Sequence, residues 1–305
     1  MHFIPISPAD FKRLEPCFKG QKYPLSSYCL SGIVAWNNCA FNNYCAVEDG
    51  TAYVSESHIN DPAARWLLLP VSLKHEFPPH KLAELLKKTG FAEYRYVPED
   101  YVLKYGEAEL AKHFIVTHHP EYDDYIYKQT DIAELKGSKY SPKRNLISQF
   151  ERANGSGVEV SPLSGKNAAE CLAFIKRWYS DRAEKYKDWT DDLGCERQAL
   201  IQTIENFDAI GVKGIAVRIR GELWGLGIAS RVTDNMGVLN FEKAFDRIKG
   251  LYQFLEKQCA IHLFEGCEFV NRESDLGEAG LRKSKESYHP VRKVKCYTLH
   301  LPPAK

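Results

Sequence analysis

The sequence carries almost no net charge, because 41 lysine and arginine residues stand against 40 aspartate and glutamate residues. Proteins that bind nucleic acid over much of their surface carry a strong excess of positive charge. The balanced charge of this chain therefore does not indicate DNA binding, and any basic site must be local. The phosphate-binding loop, the nucleophile elbow and the dinucleotide fingerprint are also missing. His118 and His119 lack the H-E-x-x-H spacing, so no metal site is predicted.

Paired cysteine motifs and long apolar runs are absent as well. None of the 9 cysteines forms a C-x-x-C pair, and the odd count predicts reduced thiols and a cytoplasmic location. Cys39 and Cys45 are expected to pack in the core rather than to bind metal. The start of the chain lacks the charged and apolar regions of a signal peptide. The longest apolar run, around Trp66 to Leu73, is broken by Pro70, so no transmembrane segment is predicted.

The length and composition are those of a globular protein with more than one domain. At 305 residues the chain suits two domains of about 150 residues each. Hydrophobic residues make up 44% and charged residues 27%, which argues against disorder. The glycine-rich segment 154–157 has the composition of a linker. The sequence therefore predicts an N-terminal domain at residues 1–155 and a C-terminal domain at residues 156–305.

Hydrophobic periodicity predicts alternating strands and helices in both halves. The clearest elements of the first half are a hairpin over 44–54, a strand over 65–71 and an amphipathic helix over 79–89 that ends at Gly90. The second half is predicted to contain two helices, a hairpin, a strand, a helix and a final strand. This order indicates an α/β protein.

Two local clusters of basic residues are candidate anion sites. One follows a glycine-containing turn and lies on a short helix predicted over 281–288, where free backbone N–H groups and cationic side chains converge. The other surrounds the start of a helix predicted at Ser141. The alternatives are a solvated surface helix for the first cluster and a solvated connector for the second. The cations of the two clusters are Arg282, Lys283 and Lys285, and Lys136, Lys139, Lys143 and Arg144.

Three sequence blocks resemble one known family. The segment NRESDLGEAGLRKSKESYHP, residues 271–290, resembles the closing signature of the phosphatidylglycerol lysyltransferase C-terminal-like family. The block at 131–145 and the short block at 242–244 match in the family's order. The resemblance implies two tandem GNAT-like (acyltransferase-like) domains, each with a mixed central sheet flanked by helices. It also implies that Asn271 and Arg272 join Arg282 and Lys285 in donor binding.

In GNAT folds the loop after the fourth strand holds the donor's pyrophosphate on backbone N–H groups, with the pattern Q/R-x-x-G-x-G/A. The segment 247–252 matches this pattern at Arg247 and Gly250. The resemblance therefore makes Arg247, Lys249 and Gly250 candidate donor-binding residues. Tyr252 stands where a small residue is usual, which weakens the case for ordinary acetyl-CoA binding.

Candidate catalytic residues lie on the strand before this loop and at the end of the signature. Glu242 and Lys243 point to opposite faces because side chains alternate along a strand. Glu242 is the candidate base, with a structural ion pair to Lys243 or an arginine as the alternative. Tyr288 is the candidate acid, with a core aromatic role as the alternative. Asn240 replaces a histidine common in relatives and can donate a hydrogen bond but cannot shuttle protons.

The resemblance implies a transferase that moves an acyl or aminoacyl group to an amine or hydroxyl acceptor. Acyl-CoA and aminoacyl-tRNA are both expected as donors, and no covalently bound cofactor is predicted. A soluble acceptor fits better than a lipid, because the membrane bundle of related lysyltransferases has no counterpart in this sequence. The alternative is a non-catalytic ligand- or RNA-binding module that retains the tandem fold. The acceptor and the oligomeric state do not follow from the sequence.

Overall fold

The computed structural model describes residues 1–37, 39, 41–185 and 192–303 of the chain. The strands are β1 (Ile4–Pro5), β2 (Phe41–Glu48), β3 (Thr51–His58), β4 (Asp61–Leu67), β5 (Val71–Ser72), β6 (Glu93–Pro98), β7 (Ile115–His118), β8 (Asp124–Lys128), β9 (Val158–Pro162), β10 (Lys213–Ile219), β11 (Glu222–Thr233), β12 (Met236–Ala244), β13 (Phe269–Asn271), β14 (Arg292–Val294) and β15 (Cys296–His300).

The helices are α1 (Phe11–Phe18), α2 (Leu30–Ala35), α3 (Pro79–Thr89), α4 (Glu99–Tyr105), α5 (Glu107–Leu110), α6 (Gln129–Glu134), α7 (Ser141–Asn154), α8 (Ala168–Lys185), α9 (Asp192–Glu205), α10 (Leu251–His262) and α11 (Ala279–Glu286). None of these described helices combines the length and the apolar character that crossing a bilayer requires.

The strands form two mixed sheets. The first has the order β1-β2-β3-β4-β6-β15-β7, with β5 paired to β3, and the second has the order β14-β8-β13-β12-β11-β10-β9. Among the described pairs only β4–β6 and β12–β13 are parallel. Helices pack on both sheets, so the predicted α/β class is confirmed.

The two sheets exchange segments across the predicted domain boundary. β8 precedes residue 155 but lies in the second sheet, and α6 and α7 pack on α10 of that sheet. β15 follows residue 156 but lies between β6 and β7 of the first sheet. The two sheets therefore do not correspond to the predicted domains at residues 1–155 and 156–305. Linker composition reports local flexibility, whereas the sheet that a strand joins depends on contacts with distant segments.

Several predicted elements form where periodicity and terminating residues favour them. The helix predicted over 79–89 is α3, and Gly90 ends it in the left-handed region with a φ of 73°. The first hairpin is the antiparallel pair of β2 and β3. The strand predicted over 65–71 forms at a different position, because β4 spans Asp61–Leu67 and β5 begins only at Val71. Pro70 lies between them and has no N–H for a ladder.

The prediction that all cysteines are reduced is wrong for one pair. A disulfide joins Cys39, in the loop between α2 and β2, to Cys195 in α9, with Cα atoms 5.4 Å apart. The two residues are 156 positions apart, so their proximity depends on the packing of α9 beside α2. Cys45 is buried, as expected of a residue that packs in the core. The other described cysteines are free thiols, and all of them except Cys267 are buried.

The start of α10 is pressed tightly against α7. Gly250 caps α10 with a φ of 83°. A Cβ atom at this position would lie 2.1 Å from the carbonyl oxygen of Leu146 and 3.0 Å from the Cβ of Phe150. Glycine is therefore required both by backbone conformation and by the close approach of α7.

We expect Gly250→Ala to destabilise the protein more than Gly221→Ala does. Gly221 has the same φ of 83° but open space around its Cα, so its substitution measures backbone strain alone, about 1–2 kcal/mol. Gly250→Ala should add an overpacking cost of about 1–3 kcal/mol. Urea denaturation of both variants measures the difference. Equal losses of unfolding free energy would show that α7 does not press on this position.

Candidate functional site

A gap opens in the second sheet where β12 loses its parallel partner. β12 and β13 pair only from Met236–Phe269 to Val238–Asn271, and β12 then continues to Ala244 paired with β11 on its other side. We call the space between residues 239–244 and residues 272–274 the seam. In the pairing of β12 with β11, Asn240 has no partner residue on β11. This irregularity is a β-bulge at the start of the seam. A bulge beside a lost strand pair is a frequent feature of functional sites.

The corresponding place in the first sheet is filled by an aromatic side chain. β4 and β6 are parallel and pair at Leu67 and Tyr94. Beyond this pair the fully buried side chain of Tyr28 occupies the region, and its hydroxyl accepts a hydrogen bond of 3.1 Å from the N–H of Leu69. The filled first sheet and the polar seam of the second place the candidate site in the second sheet.

Three buried charged side chains meet on one side of the seam. Arg272, just past β13, lies 2.5 Å from Glu256 of α10 and 3.7 Å from Glu242 of β12. Burial, and then the nearby charge of Glu256, raise the pKa of Glu242 to about 8. Burial also raises the pKa of Glu256. Burial alone would lower the pKa of Arg272, but the Glu256 carboxylate raises it, so the guanidinium stays charged.

The hydrogen-bonding capacity of this cluster is incompletely used within the described residues. Oε1 of Glu242 has no partner, Oε1 of Glu256 and Nη1 of Arg272 have only each other in the ion pair, and the hydroxyl of Tyr288 lies beside the Glu256 carboxyl without a well-aligned hydrogen bond. Tyr288 is 2% exposed, and its ring lies between the Nζ of Lys143 at 3.9 Å and the Cζ of Arg272 at 4.9 Å. Burial raises the pKa of Tyr288 well above its ordinary value, so the hydroxyl keeps its proton. Buried polar atoms with unused hydrogen-bonding capacity are rare, and here they cluster at one place.

The opposite face of β12 carries a separate ion pair. Lys243 donates to Glu196 of α9 at 2.6 Å and lies over the ring of Trp178. Tyr179 donates to the other carboxylate oxygen of Glu196 at 3.0 Å. Glu242 and Lys243 therefore face opposite sides of the sheet, as the alternation predicted. The partner of Glu242 is an arginine rather than Lys243.

Most of the signature residues predicted to bind the donor have partners within the protein. The buried Nζ of Lys285 donates to the carbonyls of Arg272, Glu273 and Ser274. Asn271 is fully buried and donates to the carbonyl of Pro24 and to Asp124. Arg282 pairs with Asp275 at 2.9 Å. These contacts fix the turn after β13, so Lys285 and Asn271 have structural roles here.

The second basic cluster does not converge on one point. Lys136 pairs with Glu134, and Arg144 donates to the carbonyls of Leu135 and Gly137. Lys143 instead reaches α11, where it contacts Ser287. Lys139 lies over the ring of its neighbour Tyr140. The repulsion that suggested an anion in the sequence is therefore largely relieved by protein groups.

Residues of the predicted pyrophosphate-binding loop, 247–252, also contact other groups of the protein. Arg247 pairs with Asp181 and lies over the rings of Trp224 and Phe245. Gly250 packs against α7, as described above. Lys249 is exposed. Asn240 accepts a hydrogen bond of 2.5 Å from Ser230, so its side-chain oxygen has a partner.

Two residues at or beside the candidate site, Glu256 and Ser287, were not identified from the sequence. Glu256 lies in α10, whose sequence also contains Gln253, Lys257 and Gln258, so no pattern in the sequence distinguished its buried carboxylate. No sequence pattern indicated the contact of Lys143 with Ser287, because the two residues lie on different elements. Within the described residues no group of three or more potential metal ligands occurs, and His118 pairs with Asp123 at 2.9 Å.

We expect the Glu242→Gln variant to gain stability over the native protein as pH rises from 5 to 8. The folded-state pKa of about 8 exceeds the ordinary value of 4.5, so in this range the unfolded chain releases the Glu242 proton while the folded protein retains it, and the native protein loses stability as pH rises. The difference should grow by at most about 1.4 kcal/mol per pH unit. Urea denaturation across this range measures it. Glu151→Gln, at an exposed position of α7, is the control, and a flat difference for Glu242→Gln would contradict the expected titration.

Comparison with known proteins identifies related sequences and structures. The family described as phosphatidylglycerol lysyltransferase, C-terminal, matches residues 79–300. No curated protein matches the chain. A conserved protein of unknown function from Bacteroides thetaiotaomicron is 27% identical, with a TM-score of 0.85, and the match covers 98% of this chain and 99% of that one.

Two further structures share the fold at lower identity. The C-terminal domain of a candidate lysylphosphatidylglycerol synthetase from Agrobacterium fabrum has a TM-score of 0.64 at 13% identity, covering 95% of this chain and 91% of that one. L-PGS from Bacillus licheniformis has a TM-score of 0.62 at 14% identity, covering 96% and 92%. These similarities confirm the predicted tandem GNAT-like fold. With most of its length matched, the chain belongs to the phosphatidylglycerol lysyltransferase C-terminal family.

Proposed function

We propose that the protein is a GNAT-type transferase that moves an acyl or aminoacyl group from an activated donor to an acceptor bound in the seam. The observation that carries the proposal is the buried cluster of Glu242, Glu256, Arg272 and Tyr288, in which Oε1 of Glu242 has no hydrogen-bond partner. Its position beside the bulge of β12 supports a functional role. Family membership supports the transferase class.

Glu242 has the properties of a general base. With a pKa of about 8 it is available near neutral pH both to hold and to release a proton. It would take the proton from the acceptor as the acceptor's nitrogen or oxygen attacks the donor carbonyl. The bond from the carbonyl carbon to the donor's leaving atom then breaks. Tyr288, whose hydroxyl stays protonated, would give the leaving atom its proton.

The unpaired atoms favour an amine as the acceptor. Oε1 of Glu242 has no partner, and a carboxylate oxygen only accepts hydrogen bonds when it is ionised. A primary ammonium group brings three donors and a positive charge, whereas an alcohol brings a single donor. An amine would therefore satisfy more of the cluster before it loses its proton to Glu242.

The loop contacts favour an aminoacyl ester, as in aminoacyl-tRNA, over acyl-CoA as the donor. A CoA pyrophosphate in a GNAT fold lies on the backbone at the start of the helix that corresponds to α10. Here Gly250 is packed against Leu146, and Arg247 is paired with Asp181. An ester donor that delivers only its acyl end to the seam does not require this loop.

A non-catalytic binding module is the alternative. Arg272 balances the charge of the carboxylates, and the side-chain oxygen of Asn240 is bonded to Ser230. Such a cluster suits a module that binds a cationic ligand without chemistry. The two functions differ in whether the bond between the acyl group and the donor's leaving atom is broken.

A thermal-shift series with aminoacyl-tRNA, deacylated tRNA, coenzyme A and acetyl-CoA tests the proposal. We expect aminoacyl-tRNA to raise the melting temperature, since a ligand at a hundred times its Kd adds about 2.7 kcal/mol. The shift should fall as salt increases, because phosphate contacts are screened. The coenzyme A compounds should have little effect.

Variants separate binding from chemistry. Glu242→Gln should keep the shift with aminoacyl-tRNA and lower transfer of the aminoacyl group to a soluble primary amine at least about a hundredfold. Glu151→Gln, on the exposed side of α7, should retain both. A shift with coenzyme A would point to acyl-CoA instead. No shift with any donor would favour the binding module.

A further inference from the structure

Glu273 brings a carboxyl group without a partner to the wall of the seam. It lies in the turn after β13 and is half-buried. Its backbone N–H donates to the side-chain oxygen of Asn271 at 2.7 Å. Its carbonyl accepts from the N–H of Tyr125 at 3.2 Å and from Lys285 at 3.0 Å. Within the described part of the chain, no group forms a hydrogen bond or an ion pair with its carboxyl oxygens.

The backbone of Glu273 is held independently of this carboxyl. Its φ of 58° lies in the left-handed region, where a residue with a side chain persists only if its surroundings hold it. Lys285 holds it, because its Nζ donates to the carbonyls of three successive residues, 272–274. The turn is therefore closed by main-chain contacts, and the carboxyl of Glu273 contributes none of them.

The charged groups around this carboxyl come from four elements. They are Lys285 of α11, Asp124 of β8, Glu196 of α9 and Lys243 of β12. Lys243 and Lys285 also act on the carboxyl of Glu242. Glu242 and Glu273 therefore border the same gap, the first from β12 and the second from the turn after β13.

Each of these neighbours already has a partner. Lys243 donates to Glu196 at 2.6 Å, and Asp124 accepts a hydrogen bond of 2.6 Å from a backbone N–H. Lys285 is surrounded by the three carbonyls. The carboxyl of Glu273 is the one in this group that lacks such a contact among the described residues. Its partner is therefore to be sought outside the protein, and a carboxylate calls for a donor of hydrogen bonds.

An amine acceptor has two protons to lose, and Glu242 accounts for one of them. Near neutral pH a primary amine is an ammonium ion, which must lose a proton before its nitrogen can attack. It loses a second proton as the new bond to the acyl carbon forms. The direct transfer proposed above assigns a base to the second proton only.

We propose that Glu273 binds the ammonium ion of the acceptor and takes its first proton. The N–H bond breaks, the proton joins a carboxylate oxygen of Glu273, and the nitrogen keeps the electron pair with which it attacks the donor carbonyl. Glu242 then takes the second proton. This inference rests on the transfer to an amine proposed above and adds the residue that makes the amine nucleophilic.

The environment of Glu273 suits this proton transfer. Burial raises its pKa to about 8, with Asp124 and Glu196 acting in the same direction and the two lysines opposing them. An alkyl ammonium ion such as that of lysine has a pKa of about 10.4, which is nearer to this value than to the ordinary 4.5. At pH 7 the free carboxyl holds a proton, and a bound ammonium ion favours its release to the solvent.

The alternative is that Glu273 only balances the charge of the buried Lys285. Lys285 has three carbonyl partners, and no carboxylate of the described residues forms an ion pair with it. A balancing role predicts that Glu273→Gln changes transfer to every acceptor alike. It also predicts that the binding of an amine does not depend on this carboxyl.

Transfer to two amines of similar size separates the first proton from the second. Ethylamine is protonated at pH 7, whereas trifluoroethylamine is largely uncharged because its fluorine atoms lower its basicity. With aminoacyl-tRNA as the donor, Glu273→Gln should slow transfer to ethylamine at least about a hundredfold and hardly change transfer to trifluoroethylamine. Glu242→Gln should slow both. Glu278→Gln, at an exposed position of the same signature, should keep both native rates.

The pH dependence gives a readout that a structural role would not move. In Glu273→Gln, transfer to ethylamine should recover as pH rises, because the solvent then removes the first proton. Transfer to trifluoroethylamine should show no such recovery. Melting temperatures of the variants confirm that they are folded.

Calorimetry tests the binding step without a donor. Ethylamine is titrated into the native protein at pH 7 in two buffers with different enthalpies of ionisation, which reports the protons released on binding. The native protein should release protons, because Glu273 ionises beside the ammonium ion. Glu273→Gln should bind at least about tenfold more weakly, as expected for a lost hydrogen bond to a charged group, and should release fewer protons. Glu273→Asp keeps a carboxylate and should regain part of the affinity.

The outcomes separate this inference from the proposed function. Equal affinity and equal proton release in Glu273→Gln overturn it, as do equal slowing of transfer to both amines and a native protein that does not bind ethylamine. Absence of transfer by the native protein to either amine contradicts the proposed function instead, and the calorimetry then decides on Glu273 by itself. Native transfer that Glu273→Gln leaves unchanged keeps the function and removes Glu273 from it.

Discussion

The guanidinium of Arg272 is the interaction on which the second half of the protein depends. It lies between carboxylates from β12 and α10 and joins the strand, the helix and the turn after β13 at one buried point. Removing one partner from a buried ion cluster leaves charge uncompensated, at a cost of about 3–5 kcal/mol. Oε1 of Glu242 is the atom of this cluster that has no hydrogen-bond partner among the described residues.

The signature after β13 mainly builds the wall that holds this cluster. Lys285 closes the turn through three carbonyls, and Glu273 sits there with a φ of 58°. A non-glycine residue in the left-handed region persists only where its surroundings hold it. Asn271 ties the same turn to the segment before α2 through Pro24. Most polar residues of the signature at 271–290 therefore have structural roles, and only a few of its atoms remain available for chemistry.

Local patterns predicted much of the fold and part of the site. The period of two placed Glu242 and Lys243 on opposite faces, and the helix ending at Gly90 formed as its spacing indicated. Donor binding by Lys285 was inferred from its charge, which does not reveal that three carbonyls surround it. The contact between Lys143 and Ser287 escaped prediction because no periodicity relates residues that meet only across two elements.

By itself, the sequence determined the α/β class and several element boundaries, because these follow from periodicity, capping and turn residues, and its signature at residues 271–290 carried the family resemblance. Only the tertiary structure decided that β8 and β15 change sheets, that Cys39 meets Cys195, and that Glu256 joins Glu242 around one arginine. These features depend on the packing of segments far apart in the chain. Hydrophobic burial and strand pairing select that packing for the molecule as a whole, so no local stretch of residues encodes it.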